Sequence, residues 1–550
     1  MRLRPSAIDL TLLCLILAGL FLLLLARGLN LGFFGDVLAY DYHLAQAGII
    51  GGSHWLVTEH WSRHLLGAPY PAVIQVLANG TSTLWYATAF LSHYTAAVCA
   101  YLFITSFTRG QARALALAAA LIFAVSLLDT RANFEFPTLT VRNLPLGFAW
   151  LALWAYLAYV RGGRQYALLG VLAFGLFVLA FAAYEPTALF FFLLPVIAWF
   201  ARAELPPEQR EAGWPWARRA LIDMLPYGGA VVIYVYLLAI LFPGTGGIRL
   251  SPGWIIEQGI MGIRVLFDPR PAVEALNSGS PVIIAVGWLV VAALLWWRLR
   301  AAQLTRFALA QTVTVAAGVT LVTIGGAAPT SFGLAENVRL LYPAMFAAPL
   351  LLIALGLLVG EQLKLRSLAR MGAAGAAGGL VALGAAAVLA AQTEYAQINA
   401  TRTQSLAAIQ TALPTLALEA RPYLLVVTDL ADPEVLALNM GDINFPQMLD
   451  RLYSVYGMLG DGVYPRAEAA PPCELRIGCI VVDEAGLHSP LRPDLIIDPA
   501  QIVIIRLQVS GNTTTGQVID VLTAAELVGT NVVIAPGTTL RTNRALIGGG

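Results

Sequence analysis

Charge is what this chain has least of. Only 12% of its 550 residues are Asp, Glu, Lys or Arg, about half the share of a soluble domain. With 58% hydrophobic residues and a mean hydropathy of +0.74, one soluble globule is excluded and a polytopic membrane protein is expected. Lysine is nearly absent: Lys364 is the single one among 33 basic residues. A net charge of +1 supplies no broad positive field, so nucleic acid is excluded as a partner. Cysteine is scarce too. Of four cysteines, Cys14 and Cys99 sit in apolar runs as packing residues, and Cys473 and Cys479 form a C-x5-C pair. That spacing is too wide for a zinc knuckle and leaves a disulfide open if the region lies outside the cytoplasm. There is no H-E-x-x-H and no glycine-rich phosphate loop. Nor is there a domain-sized segment between basic loops that would bind a nucleotide sugar.

What the sequence has in abundance is apolar runs of membrane-spanning length. They lie at roughly 8–27, 82–107, 113–128, 143–160, 166–183, 187–201, 221–242, 281–297, 307–327, 339–360 and 372–392, about eleven helices. The first follows a basic start, MRLRPSAIDL, but is longer than a signal-peptide core and has no small-residue cleavage site, so it reads as a retained helix. Alternate loops gather Arg2 and Arg4, Arg109 and Arg113, Arg161 and Arg164, Arg202 to Arg219, Arg298 to Arg306, and Lys364 to Arg370. Positive residues stay in the cytoplasm, so these loops are inner ones. The opposite loops hold Asp36, Asp41, Glu59, Glu135, Glu185 and Glu336 and face outward. An odd helix count leaves the C-terminal part outside as well.

The reading divides the chain into a transmembrane domain over 1–393, with a large first outer loop over 28–81, and a C-terminal soluble α/β domain over 394–550. The second part opens on a polar helical stretch, TEYAQINATRTQSLAAIQTAL. It continues with β-rich runs such as YLLVVTDL, CIVVDEAG, IVIIRLQV and NVVIAP around an amphipathic FPQMLDRLYSVYGML. The fold class is therefore mainly α: a transmembrane helical bundle with a small α/β appendage.

The first outer loop, about 55 residues long, exceeds what a connection needs. It holds Asp36, Asp41 and Glu59 with four of the six histidines, His43, His54, His60 and His64. Trp55 and Trp61 suit short amphipathic helices at the membrane surface. Asp36 follows the first helix, where partial desolvation raises a carboxyl pKa and makes a competent base, or where it caps the next helix. His60 and His64 stand at i, i+4 beside Glu59, a spacing open to a divalent metal and equally to a half-wet interfacial helix. Glu185 in Tyr-Glu-Pro lies at or just inside the outer interface. Arg131 and Glu135 in the loop 129–143 can line a sugar pocket or pair with each other. The outer loop 243–280 offers Arg264 and Arg270 for an anionic headgroup.

The loop from FFGDVLAYDYH through Trp55 to LLGAPYPAVIQVLANGTSTLWY resembles the GT-C superfamily of membrane glycosyltransferases, in particular its YfhO-like and mannosyltransferase-like branches. So does ENVRLLYPAMFAAPLLLIALG, residues 336–356. The resemblance implies a catalytic base among Asp36 and Asp41, and Arg339 against a lipid phosphate. The donor it implies is a polyprenyl-phosphate-linked sugar, the acceptor a glycan, lipid or protein on the outer face, with inversion at the anomeric carbon. The chain departs from the family in lacking an adjacent acidic pair after the first helix. Two other readings stand beside it: a non-catalytic membrane protein that binds or transports a lipid-linked glycan, and a metal-dependent hydrolase built on His60, His64 and Glu59.

Overall fold

The computed structural model describes residues 7–28, 48–51, 53–54, 69–78, 82–126, 138–162, 166–205, 208, 213–241, 251–329, 334, 338–420, 422–428, 459–463, 479–483, 486–489, 492–510, 513–528, 530–534 and 539–548. Every apolar run named above becomes a helix. In chain order these are α1 (Ala7–Gly28), α2 (Pro69–Ala78), α3 (Ser82–Phe107), α4 (Arg113–Ala124), α5 (Thr138–Gly162), α6 (Ala167–Ala183), a 3-10 helix (Glu185–Leu193) continued by α7 (Leu194–Ala203), and α8 (Gly213–Leu241). Then follow α9 (Pro252–Leu266), α10 (Arg270–Ser278), α11 (Pro281–Ala301), α12 (Arg306–Ala327), α13 (Ala344–Gln362) and α14 (Arg366–Ala412). Eight of them are long and apolar enough to cross a membrane, and the protein is a multi-pass membrane protein with a mainly helical fold.

Three elements differ from the sequence reading. The loop 243–280 contains two helices, because Ser251 caps α9 by accepting from the Trp254 N–H at 3.3 Å, with Pro252 preset for the first turn. The run expected to continue to 128 stops as a helix at Ala124. And the polar stretch after 393 continues the last apolar helix as one 47-residue rod, since no proline interrupts it.

The chain falls into two compact units. In the first, α1 and Leu44–Gln392 belong together. The densest packing joins α5 to α3 and α6, and α12 to α13, around large buried rings such as Trp85, Tyr101, Phe103, Trp150 and Phe181. Small residues allow the closest approaches. A Cβ on Gly378 of α14 would meet the Ala292 backbone nitrogen of α11 at 2.8 Å, and one on Gly384 would meet the Val125 carbonyl at 1.8 Å.

The buried acids Asp9 and Glu204 of this unit are paired. Asp9, fully buried in the first turn of α1, meets Arg298 of α11 at 2.5 Å. Glu204, at the end of α7, takes Arg161 at 2.6 Å and Arg109 at 2.8 Å. Arg161 also donates to the Ser106 and Phe107 carbonyls at 2.7 and 3.0 Å. The ion cluster thereby closes the last turn of α3, whose carbonyls have no partner within the helix.

The second unit, Thr393–Gly550, contains ten strands among the described residues: β1 (Tyr423–Thr428), β2 (Leu459–Val463), β3 (Ile480–Asp483), β4 (Gly486–Ser489), β5 (Arg492–Ile497), β6 (Ile502–Ser510), β7 (Thr513–Val518), β8 (Val521–Leu522), β9 (Val532–Ile534) and β10 (Leu540–Arg541). They form sheets in the orders β2-β1-β6-β7 and β5-β4-β3-β9, with β8 and β10 paired. The pairs β1–β2 and β1–β6 are parallel, and β6–β7 is antiparallel. Leu425, Ile480, Leu487, Ile502 and Ile504 centre its core.

Candidate functional site

The polar chemistry buried in the helical unit gathers where α4 stops. A helix that ends inside an apolar bundle leaves carbonyls that must be satisfied. His93 of α3, with no exposed surface, meets that need: its Nε2 lies 3.1 Å from the Ala124 carbonyl. A carbonyl only accepts, so Nε2 carries the hydrogen and Nδ1 is left as the acceptor. Nδ1 is bonded to the Tyr342 hydroxyl, which therefore donates. Phe123 packs against both members of this pair, tilted 4.7 Å from the imidazole and 5.0 Å from the Tyr342 ring, and meets Phe346 edge-on.

Two more polar groups lie close by. Ser126, just past α4, donates to Met345 Sδ at 3.1 Å. Asn143 of α5 is fully buried. Its amide faces His93 without reaching normal hydrogen-bond geometry and has no other partner among the described residues. A buried amide left open in this way is costly unless something else completes it.

Tyr342 leads to the sequence-predicted arginine. It follows directly on a 3-10 turn, Val338–Leu341, which carries Arg339. That turn is anchored from two sides. Leu341 and Leu334 are fully buried with Leu266 of α9, Ile324 and Ala327 of α12, and Ala344 and Ala348 of α13. The Leu334 N–H donates to Gln258 Oε1 at 2.7 Å, tying the approach to the turn onto α9. Arg264 stands exposed in the last turn of α9. Two of the arginines proposed for a lipid phosphate thus sit on neighbouring elements that pack against each other.

The remaining candidates are placed as follows. Arg270 is exposed and ion-paired to Asp268 at 2.5 Å. This contact holds the Asp268 carboxyl below the usual range, through the hydrogen bonds from Arg270. Glu185 opens the 3-10 helix after Tyr184, whose extended backbone (φ −155°, ψ 103°) breaks the helical line. Asp36, Asp41, Trp55, Glu59, His60, His64, Arg131 and Glu135 lie outside the described residues. Among the described residues no group of three His, Cys, Asp or Glu is placed to hold a metal. Sequence reading missed His93 and Tyr342, because each sits inside an otherwise apolar run, and Asn143, because it stands at the junction of a polar loop and an apolar run. The signal available was a histidine in the middle of a spanning helix.

No family model and no curated protein matches the chain. Among solved structures it is similar to the crystal structure of ArnT from Cupriavidus metallidurans bound to undecaprenyl phosphate, at 14% identity over 80% of this chain and 85% of that one, with a TM-score of 0.34. The chain is a polytopic helical membrane protein. That statement stands on its own eight spanning helices, and a likeness of this degree adds no activity to it.

Proposed function

We propose that the protein is a GT-C-type glycosyltransferase of the cell membrane. It would move a sugar from a polyprenyl-phosphate donor to a glycan, lipid or protein acceptor on the outer face. The observation that carries the reading is the juxtaposition of the α9 helix bearing Arg264 with the anchored turn bearing Arg339, which runs into Tyr342 and its buried partner His93. In this reading Asp36 or Asp41 takes the proton from the acceptor hydroxyl as it attacks the anomeric carbon. The phosphate leaves with the electron pair of the broken glycosidic bond, its charge met by arginine. One displacement inverts the centre.

The N-terminus is cytoplasmic in this reading and the C-terminal α/β domain over 394–550 faces outward. The second unit supports that orientation: Cys479 is disulfide-bonded, a state that persists in oxidising compartments. Its expected partner Cys473 lies outside the described residues.

The test is a profile of envelope glycans and lipid-linked sugars in cells carrying the intact protein, Asp36→Asn, Asp41→Asn or a deletion, at matched protein levels. One of the two Asn variants should match the deletion, with donor lipid accumulating and one decoration missing. If both match the intact protein, the base assignment fails and transport of a lipid-linked glycan takes its place.

A further inference from the structure

A cleft in the described helical unit is lined by none of the residues of the His93 cluster and has no part in the proposed reaction. It runs along α8, has a volume of 570 Å³, and is lined by Trp214, Arg218, Leu221, Leu225, Gly228 and Gly229, with Phe191 as its far wall. We propose that this cleft holds one glycerophospholipid of the inner leaflet, with its anionic headgroup at Arg218 and an acyl chain on the glycine floor.

Three observations converge on that occupant. The first is length. From Trp214 to Gly229 α8 rises about 22 Å, which is one leaflet including its headgroup layer and not the whole bilayer. The second is polarity. All charge in the lining is at one end, on exposed Arg218, beside Trp214, which is 74% exposed. Arg202 lies 5.8 and 5.5 Å from the Trp199 and Trp216 rings nearby. Cation and indole together mark a membrane interface, and the arginine-rich loop that leads into α8 places this end at the cytoplasmic leaflet, where anionic lipids attract basic side chains.

The third is shape. Leu221 and Leu225 are exposed at 55% and 70%, so the wall is apolar and uncovered. A Cβ at Gly229 would meet nothing within 4 Å, and one at Gly228 would meet only the Phe191 ring at 3.8 Å. A glycine pair in the middle of a helix loses about 1 kcal/mol per residue relative to alanine. Here it opens the floor of the cleft at mid-membrane depth, where an acyl chain ends.

The test uses the full chain in detergent with equimolar phosphatidylglycerol and phosphatidylcholine of identical acyl chains, read by native mass spectrometry. The intact protein should retain one lipid after the others are stripped, with phosphatidylglycerol preferred about fivefold. Arg218→Gln should bring that preference close to one while keeping a lipid. Gly229→Phe should empty the cleft of both, and Leu225→Trp fills the same volume should the first fail to fold. Arg300→Gln, on α11, should change nothing. Retention unaltered by both filling variants, or a retained lipid with no headgroup preference in the intact protein, overturns the proposal.

Discussion

His93 serves the Ala124 carbonyl and the Tyr342 hydroxyl at once, so its two nitrogens act as one tether between α4 and the turn before α13. Removing one partner of a buried hydrogen bond leaves the other unsatisfied, at about 1–3 kcal/mol. His93→Phe and Tyr342→Phe should each lower the thermal midpoint of the detergent-solubilised chain. The double variant should cost less than their sum by about 1–2 kcal/mol; additive losses would remove the tether. The Glu204 cluster makes a harsher demand. Arg161 is 9% exposed and Glu204 5%, and taking away one partner strands a buried charge. Glu204→Gln should destabilise by on the order of 3 kcal/mol, visible as a lower melting temperature, whereas Arg370→Gln, which meets Glu361 only at 4.0 Å, should be mild.

At the scale of elements, α14 crosses the end of α4 through Gly384, which leaves room for the Val125 carbonyl. Gly384→Val should sharply reduce folded yield, since backbone on both sides must shift, while Gly375→Ala, where a Cβ meets nothing within 4 Å, should be harmless or slightly stabilising. In the second unit the short helix α15 (Ala524–Leu527) is held by a capping box between Thr523 and Glu526. The Thr523 backbone N–H, then Arg506, pull the Glu526 carboxyl down to about 2 from 4.5. A depressed carboxyl stabilises above its unfolded value, so this contribution is complete above about pH 4.5 and is lost as pH falls toward 2. Glu526→Gln should flatten that part of the acid-unfolding curve of the full chain, followed by hydrogen exchange at β6. These elements differ in how far sequence foretold them. Spanning helices are legible because about 20 apolar residues in a row have few other uses. The stop at Ala124 is not, since it depends on a histidine 31 residues away, and no local pattern encodes a long-range cap. The arginines proposed for a lipid phosphate were visible by type and position, but that their elements meet needed the packing of Leu334 and Leu341.

For the whole molecule the question is which unit faces which compartment. Arginine on alternate loops and a disulfide at Cys479 support the proposed orientation by independent physics: the first acts during insertion, the last through redox chemistry. The C-terminal unit should then be reached by a membrane-impermeant reagent in intact cells. A phosphatase reporter fused after Gly550 should be active and a fluorescent-protein reporter dark, with the reverse at the loop holding Arg298 and Arg306. Cys479→Ser should lower the yield of that unit, because cross-linking chiefly limits the freedom of its unfolded chain, while leaving the reporter pattern intact. A bright fluorescent reporter at Gly550 would invert the assignment. It would also place Arg339 and the His93 cluster toward the cytoplasm, where nucleotide sugars become accessible donors and the lipid-phosphate reading loses its reason.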